Sequence, residues 1–261
     1  MSTTIVFEPG HRGRDGAMYV AEELAASMAA RLMPAAGASI GGRRRARRLA
    51  AIAEREAAAL LVVPVEDPSP MVASLVGRPT AEIVRAAPCP VVLVPPALAD
   101  AKPPLLVGDH VLWAVADHRD GGCAPVAARM AQGLDLPVTV AHVLPGGSDA
   151  LSLDELHSGG RLVGWFVDGL LRTLAEHDPW LQDRSTARLS SGDPGRELRR
   201  LGDEEGAALA VVGCRGRGSL RAAALGSVSA HLAHHGATPV VVCPPGASHA
   251  WDGGLTGHAA A

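Results

Sequence analysis

The feature that most constrains the fold of this chain is an internal repeat. The stretch AALLVVPVEDPSPMVASLVGRPT at residues 58–80 aligns with AALAVVGCRGRGSLRAAALGSVS at residues 207–229, at a spacing of 149 residues. The register continues without a gap to CPVVLVPP at 89–96 and TPVVVCPP at 238–245. Self-similarity over such a length predicts two copies of one structural unit.

The two copies differ in length near their beginnings. The segment IVFE at residues 5–8 aligns with AVAD at residues 114–117, a spacing of 109. Because 109 is 40 less than 149, we expect the first copy to lack about forty residues. Those residues correspond to the apolar run at 137–145 and the helical stretch near 162–177, so the first copy is predicted to lack its second strand.

The second copy alternates short apolar runs with helical patterns. The runs cover 111–116, 138–144, 186–190, 208–212 and 239–243. They are rich in valine and mostly do not alternate, which is typical of parallel strands covered on both faces. The alternation predicts an α/β fold with two tandem open, mostly parallel twisted sheets, helices on both faces, and a Rossmann-like arrangement in which the first copy is shortened.

The composition of the linking segments suggests domain boundaries. Paired prolines and polar residues mark a linker at 99–108, between a first domain at 1–98 and a second domain at 109–246. Residues 247–261 are predicted to be a flexible tail.

The overall composition argues against several classes of protein. A net charge of −3 does not favour a nucleic-acid partner, and the run RRRARR at 43–48 is typical of a solvated helix face. The amino terminus has no secretory pattern and no apolar run reaches membrane-spanning length, so we expect a cytoplasmic protein without a membrane partner. The four cysteines form no CxxC pair, which favours free thiols over a metal site.

The glycine-rich stretch VVGCRGRGSLRAAALGSVS at 211–229 is the strongest candidate site. An apolar run ends at Gly213, and Gly226 and Ser227 open the next helical pattern. Glycines let an anion approach the backbone amides closely, and a helix amino terminus adds further amides and positive potential. Arg215 and Arg217 would add charge, so the stretch is predicted to hold a polyphosphate.

The spacing Gly213-x2-Gly216-x9-Gly226-Ser227, preceded by ALAVVG and followed by ATPVVVCPP, resembles the nucleotide-binding motif of the universal stress protein family. The resemblance covers residues 3–96 and 109–245, in the tandem form of that family. It implies ATP as the ligand, with or without Mg²⁺. Asp117 and Val143 would line the adenine pocket and Gly213 the ribose, while the phosphates would face Gly216, Gly226, Ser227, Val228 and Ser229. Arg119 departs from the family pattern, which often has a serine at that position.

The first copy lacks these features. At the spacing of 149, Pro64 replaces Gly213, Asp67 replaces Gly216 and Arg78 replaces Ser227. Proline offers no amide, and Asp67 and Glu66 place negative charge where phosphates would lie. The first copy is therefore expected to be an empty structural partner.

The sequence favours a binding protein over an enzyme. The resemblance implies a regulatory, stress-response protein that binds ATP in its second domain; the alternative is a dimerisation or scaffold protein of the same fold that binds no nucleotide. No general base paired with a nucleophile is readable, so no catalytic residue is assigned, and slow ATP hydrolysis stays open. The last strands of the two copies, 90–94 and 239–243, are predicted to pair within the chain, and homodimerisation stays open.

Overall fold

The computed structural model describes residues 3–9, 16–35, 42–66, 79–116, 123–145, 168–214 and 225–244. The strands are β1 (Thr4–Phe7), β2 (Arg31–Pro34), β3 (Leu60–Pro64), β4 (Val91–Val94), β5 (His110–Val115), β6 (Val138–Pro145), β7 (Thr186–Gly192), β8 (Ala207–Gly213) and β9 (Val240–Cys243). The helices are α1 (Gly16–Ser27), α2 (Gly42–Arg55), α3 (Pro79–Ala86), α4 (Ala124–Leu134), α5 (168–177), α6 (Pro194–Glu204) and α7 (Ser227–His235).

The strands form one sheet of nine, in the order β2-β1-β3-β4-β9-β8-β5-β6-β7. Every neighbouring pair is parallel except β4 and β9, which are antiparallel, with Val92 opposite Val241 at the centre. The first unit contributes four strands and the second unit five, and the two meet through their last strands. The predicted α/β fold and the predicted pairing of the last strands within the chain are both confirmed.

Helices cover both faces of this sheet. On one face, α1, α4 and α5 pack against strand residues that include Trp113 and Val241. On the other face, α2, α3, α6 and α7 pack against residues that include Leu61 and Val242. Adjacent strand residues point to opposite faces, so covering both faces explains why the strands read as unbroken apolar runs. Within the described ranges, no helix is long and apolar enough to cross a membrane.

The first unit has a second strand, which the sequence comparison predicted to be missing. Strand β2 lies parallel to β1, and Ile5 lies opposite Leu32. The second unit has the same register, because Val111 of β5 lies opposite Val138 of β6. In the described part of the first unit, α5 and β7 have no counterpart. The prediction was wrong because Arg31 and Pro34 at the ends of β2 hide the apolar pattern of a strand only four residues long.

The true spacing between the beginnings of the two units is 106 residues rather than 109. Ala29 and Asp135, 106 residues apart, both have positive φ angles, of 48° and 56°, just beyond α1 and α4. The strands agree, because Ile5 pairs with Leu60 as Val111 pairs with Leu209. The likeness of IVFE to AVAD was misleading, since register is set by the buried faces of strands and helices.

The predicted linker is attached to the first unit. Its residue Ala99 accepts a hydrogen bond from the Gly16 amide of α1 at 3.2 Å. Further along, the Glu23 carboxylate accepts hydrogen bonds from the amides of Leu105 and Leu106, at 2.7 and 2.8 Å. The exact domain boundaries remain a prediction, and the predicted tail at 247–261 lies outside the described residues.

Candidate functional site

The carboxyl ends of β5, β6 and β8 lie side by side at one edge of the sheet, which we call the second-unit edge. Strand β5 pairs on one side with β6, the next strand in the chain, and on the other side with β8, a later strand. The order of the strands in the sheet therefore runs in opposite directions on the two sides of β5. This reversal of strand order opens a crevice in which α/β proteins commonly bind ligands. Helix α7, which follows β8 in the chain, begins at the same edge.

The amino terminus of α7 has no side-chain cap. Its first flanking residue is Gly226, which offers no side chain to accept from the first amides. Helix α6 is different, because the Asp193 carboxylate accepts a hydrogen bond from the Arg196 amide at 2.9 Å. The first amides of a helix have no partner inside the helix. Among the described residues, no side chain therefore accepts a hydrogen bond from the first amides of α7.

The backbone does not require a glycine at position 226. Gly226 has φ −62° and ψ 159°, a conformation that any residue adopts. A methyl group added there would meet only the Ser229 hydroxyl oxygen, at an ordinary contact distance of 3.5 Å. Glycine at this position is therefore explained neither by strain nor by crowding among the described residues.

Three predicted site residues form the first turn of α7, and their environments differ. Ser227 is exposed, and Val228 is half-buried against the core. Ser229 is only 1% exposed, and its hydroxyl donates to the Gly226 carbonyl oxygen at 3.1 Å. Ser227 therefore offers a free surface at the edge, whereas the Ser229 hydroxyl is already bonded within its own helix.

Two other predicted site residues lie at the ends of strands. Gly213 is the last residue of β8 and lies opposite Cys243 of β9. Val143 is buried near the end of β6, opposite Ser190 of β7. The structure brings Val143, Gly213 and the start of α7 to the same edge of the sheet. The remaining predicted site residues, Asp117, Arg215, Gly216 and Arg217, lie outside the described residues.

Two histidines near this edge were not predicted as part of a site. His142 of β6 places its Nδ1 2.8 Å from the Val115 carbonyl oxygen, at the end of β5. The ring of His231 in α7 lies against Gly195 of α6, so closely that a methyl group on Gly195 would come within 3.0 Å of it. Burial, and then repulsion from His235, lowers the pKa of His231 below its ordinary value of 6.5. Among the described residues, no cluster of His, Cys, Asp or Glu could hold a metal ion.

The corresponding edge of the first unit carries a cluster of four charged side chains, which we call the Arg45 cluster. It consists of Glu8, which follows β1; Glu66, which lies just beyond β3; and Arg45 and Arg48 of α2. Arg45 Nε lies 3.0 and 2.9 Å from the two Glu8 carboxylate oxygens, and Arg45 Nη1 lies 2.9 Å from Glu66 Oε1. Arg48 Nη2 lies 3.4 Å from Glu8 Oε1. The side chains of Arg45 and Glu8 are only 6% and 9% exposed.

Sequence reasoning missed this cluster because it treated the arginines at 43–48 as a solvated face. A signal was present, since Glu8 and Glu66 each follow an apolar strand of the same unit. Carboxyl ends of parallel strands meet at one edge, so the buried Glu8 carboxylate, with the more exposed Glu66 carboxylate near it, favours a cation there.

Comparisons with known proteins identify relatives of this chain. The model of the universal stress protein family matches residues 123–244. A solved protein of unknown function from Pseudomonas aeruginosa PAO1 shares the fold, with 15% identity, a TM-score of 0.56 and coverage of 96% of this chain and 85% of that one. A candidate universal stress protein from Pseudomonas aeruginosa UCBPP-PA14 aligns similarly, with 15% identity, a TM-score of 0.54 and coverage of 96% and 86%.

A smaller structure aligns with only about half of the chain. It is a universal stress protein from Archaeoglobus fulgidus in complex with dAMP, with 19% identity, a TM-score of 0.37 and coverage of 51% of this chain and 95% of that one. No curated protein matches the sequence.

Proposed function

Because residues 123–244 belong to the universal stress protein family, we propose that the second unit binds an adenine nucleotide, with ATP as the expected ligand. The site is the second-unit edge together with the loops that follow β5 and β8. The chain then acts as a regulatory binding protein in a stress response, and occupancy of the site controls what it binds.

The observation that carries this proposal is the amino terminus of α7, which no side chain of the described residues caps. Amides of the first helical turn and the positive end of the helix dipole form a natural anion site. Gly226 supports the same interpretation, since neither its dihedral angles nor its neighbours among the described residues explain a glycine. A phosphate that approaches the backbone closely would explain it.

The proposed residues would contact different parts of the ligand. The amides of Gly216, Gly226, Ser227, Val228 and Ser229 would face the phosphates. The guanidinium groups of Arg215 and Arg217 would balance part of the phosphate charge, and any Mg²⁺ would arrive with the triphosphate. Gly213 would lie beside the ribose, and Asp117 and Val143 beside the adenine. Because the Ser229 hydroxyl is bonded to Gly226, we expect Ser229 to contribute its amide rather than its hydroxyl.

The second candidate function is a scaffold that binds no nucleotide. The internal pairing of β4 and β9 favours it, because this pairing completes the sheet without any ligand or second chain. A scaffold of this kind would act through its outer surfaces alone.

A thermal-shift experiment with a matched glycine control separates the two functions. At a hundredfold excess of ATP over its Kd, we expect the Tm of the wild type to rise by about 5–10 °C. Gly226→Val should abolish the rise by blocking the close approach of phosphate, with a ligand-free Tm near that of the wild type. Gly169→Ala in α5 is the control, because none of the described residues lies within 4 Å of the added methyl group, and it should respond as the wild type does.

The two remaining outcomes are equally informative. If neither the wild type nor Gly169→Ala responds to ATP, AMP or cAMP, the scaffold function is favoured. If Gly226→Val responds fully, the nucleotide does not lie at the start of α7. Mass spectrometry of the nucleotide that co-purifies with the wild type identifies the ligand.

A further inference from the structure

We propose that Arg45 is an internal plug, whose guanidinium group fills the ligand crevice of the first unit and closes that unit to nucleotides. The Arg45 cluster lies where β1 and β3 end, and β1 lies between β2 and β3 in the sheet. This is the same reversal of strand order that β5 makes between β6 and β8 in the second unit. The plug therefore occupies the counterpart of the second-unit edge.

The contacts of Arg45 use all three nitrogen atoms of its guanidinium group. Its Nε and Nη2 both contact the Glu8 carboxylate, with Nη2 2.8 Å from Oε2, while Nη1 contacts Glu66. A guanidinium group held by two carboxylates in this way is fixed in one orientation. Arg45 thus joins the ends of β1 and β3 to α2, across the mouth of the crevice.

The charges of the cluster also exclude phosphate. Among the described residues of the cluster, the two carboxylates equal the two guanidinium groups in number, so the cluster itself carries no net positive charge for an anion. A phosphate could reach the edge only by displacing Arg45, which would leave the buried Glu8 carboxylate with little compensation. The closure is therefore electrostatic as well as steric.

The second unit cannot form this plug. At the spacing of 106, Ala114 occupies the position of Glu8, and at the spacing of 149, Pro194 occupies the position of Arg45. Neither a methyl group nor a proline ring can bridge the strand ends. The two units consequently have opposite arrangements at equivalent edges, and the chain has at most one nucleotide site.

The plug is tested without nucleotide, so its failure is distinguishable from failure of the proposed function. We expect Arg45→Ala to lower the Tm by about 10 °C, because it leaves a buried carboxylate unpaired. Arg44→Ala removes an exposed arginine from the same helix and should change the Tm by less than about 2 °C. A Tm of Arg45→Ala equal to that of Arg44→Ala would overturn the proposal.

Chemical rescue tests whether the plug occupies a true pocket. Methylguanidinium at about 10 mM should raise the Tm of Arg45→Ala by several degrees, since the cation binds only the folded form. It should not stabilise the wild type, Arg44→Ala or the double variant Glu8→Gln/Arg45→Ala. Equal responses of all four proteins would show that no such pocket exists.

A charge-free pair keeps the proposal testable if Arg45→Ala fails to fold. Glu8→Gln/Arg45→Met removes both buried charges and should be more stable than Arg45→Met alone, because no buried charge then lacks a partner. If the losses of Tm in Glu8→Gln and in Arg45→Met add up to the loss in the double variant, the direct pairing of Glu8 with Arg45 is contradicted.

Discussion

The two units of this chain share a strand and helix pattern, but they differ at the carboxyl ends of their strands. In the first unit, Arg45 joins two carboxylates, and the crevice is closed by the protein itself. In the second unit, Ala114 and Pro194 occupy the equivalent positions, and α7 begins without a side-chain cap. The difference teaches that one strand and helix pattern can carry two opposite charge arrangements at equivalent edges without a change of fold.

The largest expected effect tests whether the two units are one folding unit. Phe7 and Trp113, 106 residues apart, occupy equivalent buried positions and belong to one core cluster. Replacing either residue by alanine should lower the free energy of unfolding by about 3–5 kcal/mol, because each change leaves a large cavity. Since β4 and β9 join the sheets, urea unfolding followed by circular dichroism and fluorescence should show a single transition in both variants.

Two separate transitions, of which Phe7→Ala shifts one and Trp113→Ala the other, would break this expectation. The units would then be stable independently of one another, and their joining through β4 and β9 would add little to either.

A smaller effect sharpens the comparison at the last strands. The Asp203 carboxylate of α6 accepts hydrogen bonds from the Ala237 amide at 2.9 Å and from the Thr238 amide and hydroxyl at 3.2 and 3.0 Å. Asp203→Ala should cost about 1–3 kcal/mol, because these donors before β9 lose a charged acceptor. The equivalent residue of the first unit is the exposed Glu54, and Glu54→Ala should cost less than about 0.5 kcal/mol.

Both variants of this pair can be measured by urea denaturation under the same conditions. Equal losses would mean that the turns before β4 and β9 are held in the same way, contrary to the contacts described above.

The smallest effect concerns pH. His231 lies between α6 and α7, and its pKa is lowered by burial and by the nearby His235. The folded protein therefore takes up a proton at His231 less readily than the unfolded chain, whose histidine titrates near 6.5. This contribution to stability is complete above the ordinary pKa and is lost as the pH falls below it. We expect His231→Gln to reduce the loss of stability between pH 7.5 and pH 5.

The control for this experiment is the wild type, measured over the same pH range. A steeper loss of stability in His231→Gln than in the wild type would show that folding does not lower the pKa of His231.

Most of the fold could be predicted from the sequence, because it depends on buried faces that repeat. The valine-rich runs gave the parallel strands, and the spacing of 149 located matching elements from α2 to β4 and from α6 to β9. Strand β2 could not be predicted in this way, since only its two central residues are apolar. The spacing of 106 could not be read from IVFE and AVAD, because only the helix faces and the strand register fix it.

Less of the candidate site could be predicted. Gly213 and the start of α7 could be predicted, because the first ends an apolar run and the second begins a helical pattern. The role of Arg45 was not readable, since residues 8, 45 and 66 are distant in sequence and meet only when β1, α2 and β3 pack together. The inward bond of the Ser229 hydroxyl was also hidden, because a serine in a first helical turn looks the same whichever way its hydroxyl points.

The antiparallel joint between β4 and β9 has a consequence for assembly. It pairs the last strand of each unit, so among the described strands β2 and β7 are the two edge strands of the sheet. These two strands are unlike each other, and a contact between β2 of one molecule and β7 of the next would propagate as a filament instead of closing into a symmetric pair. The brevity of β2 and the proline at its end oppose such growth.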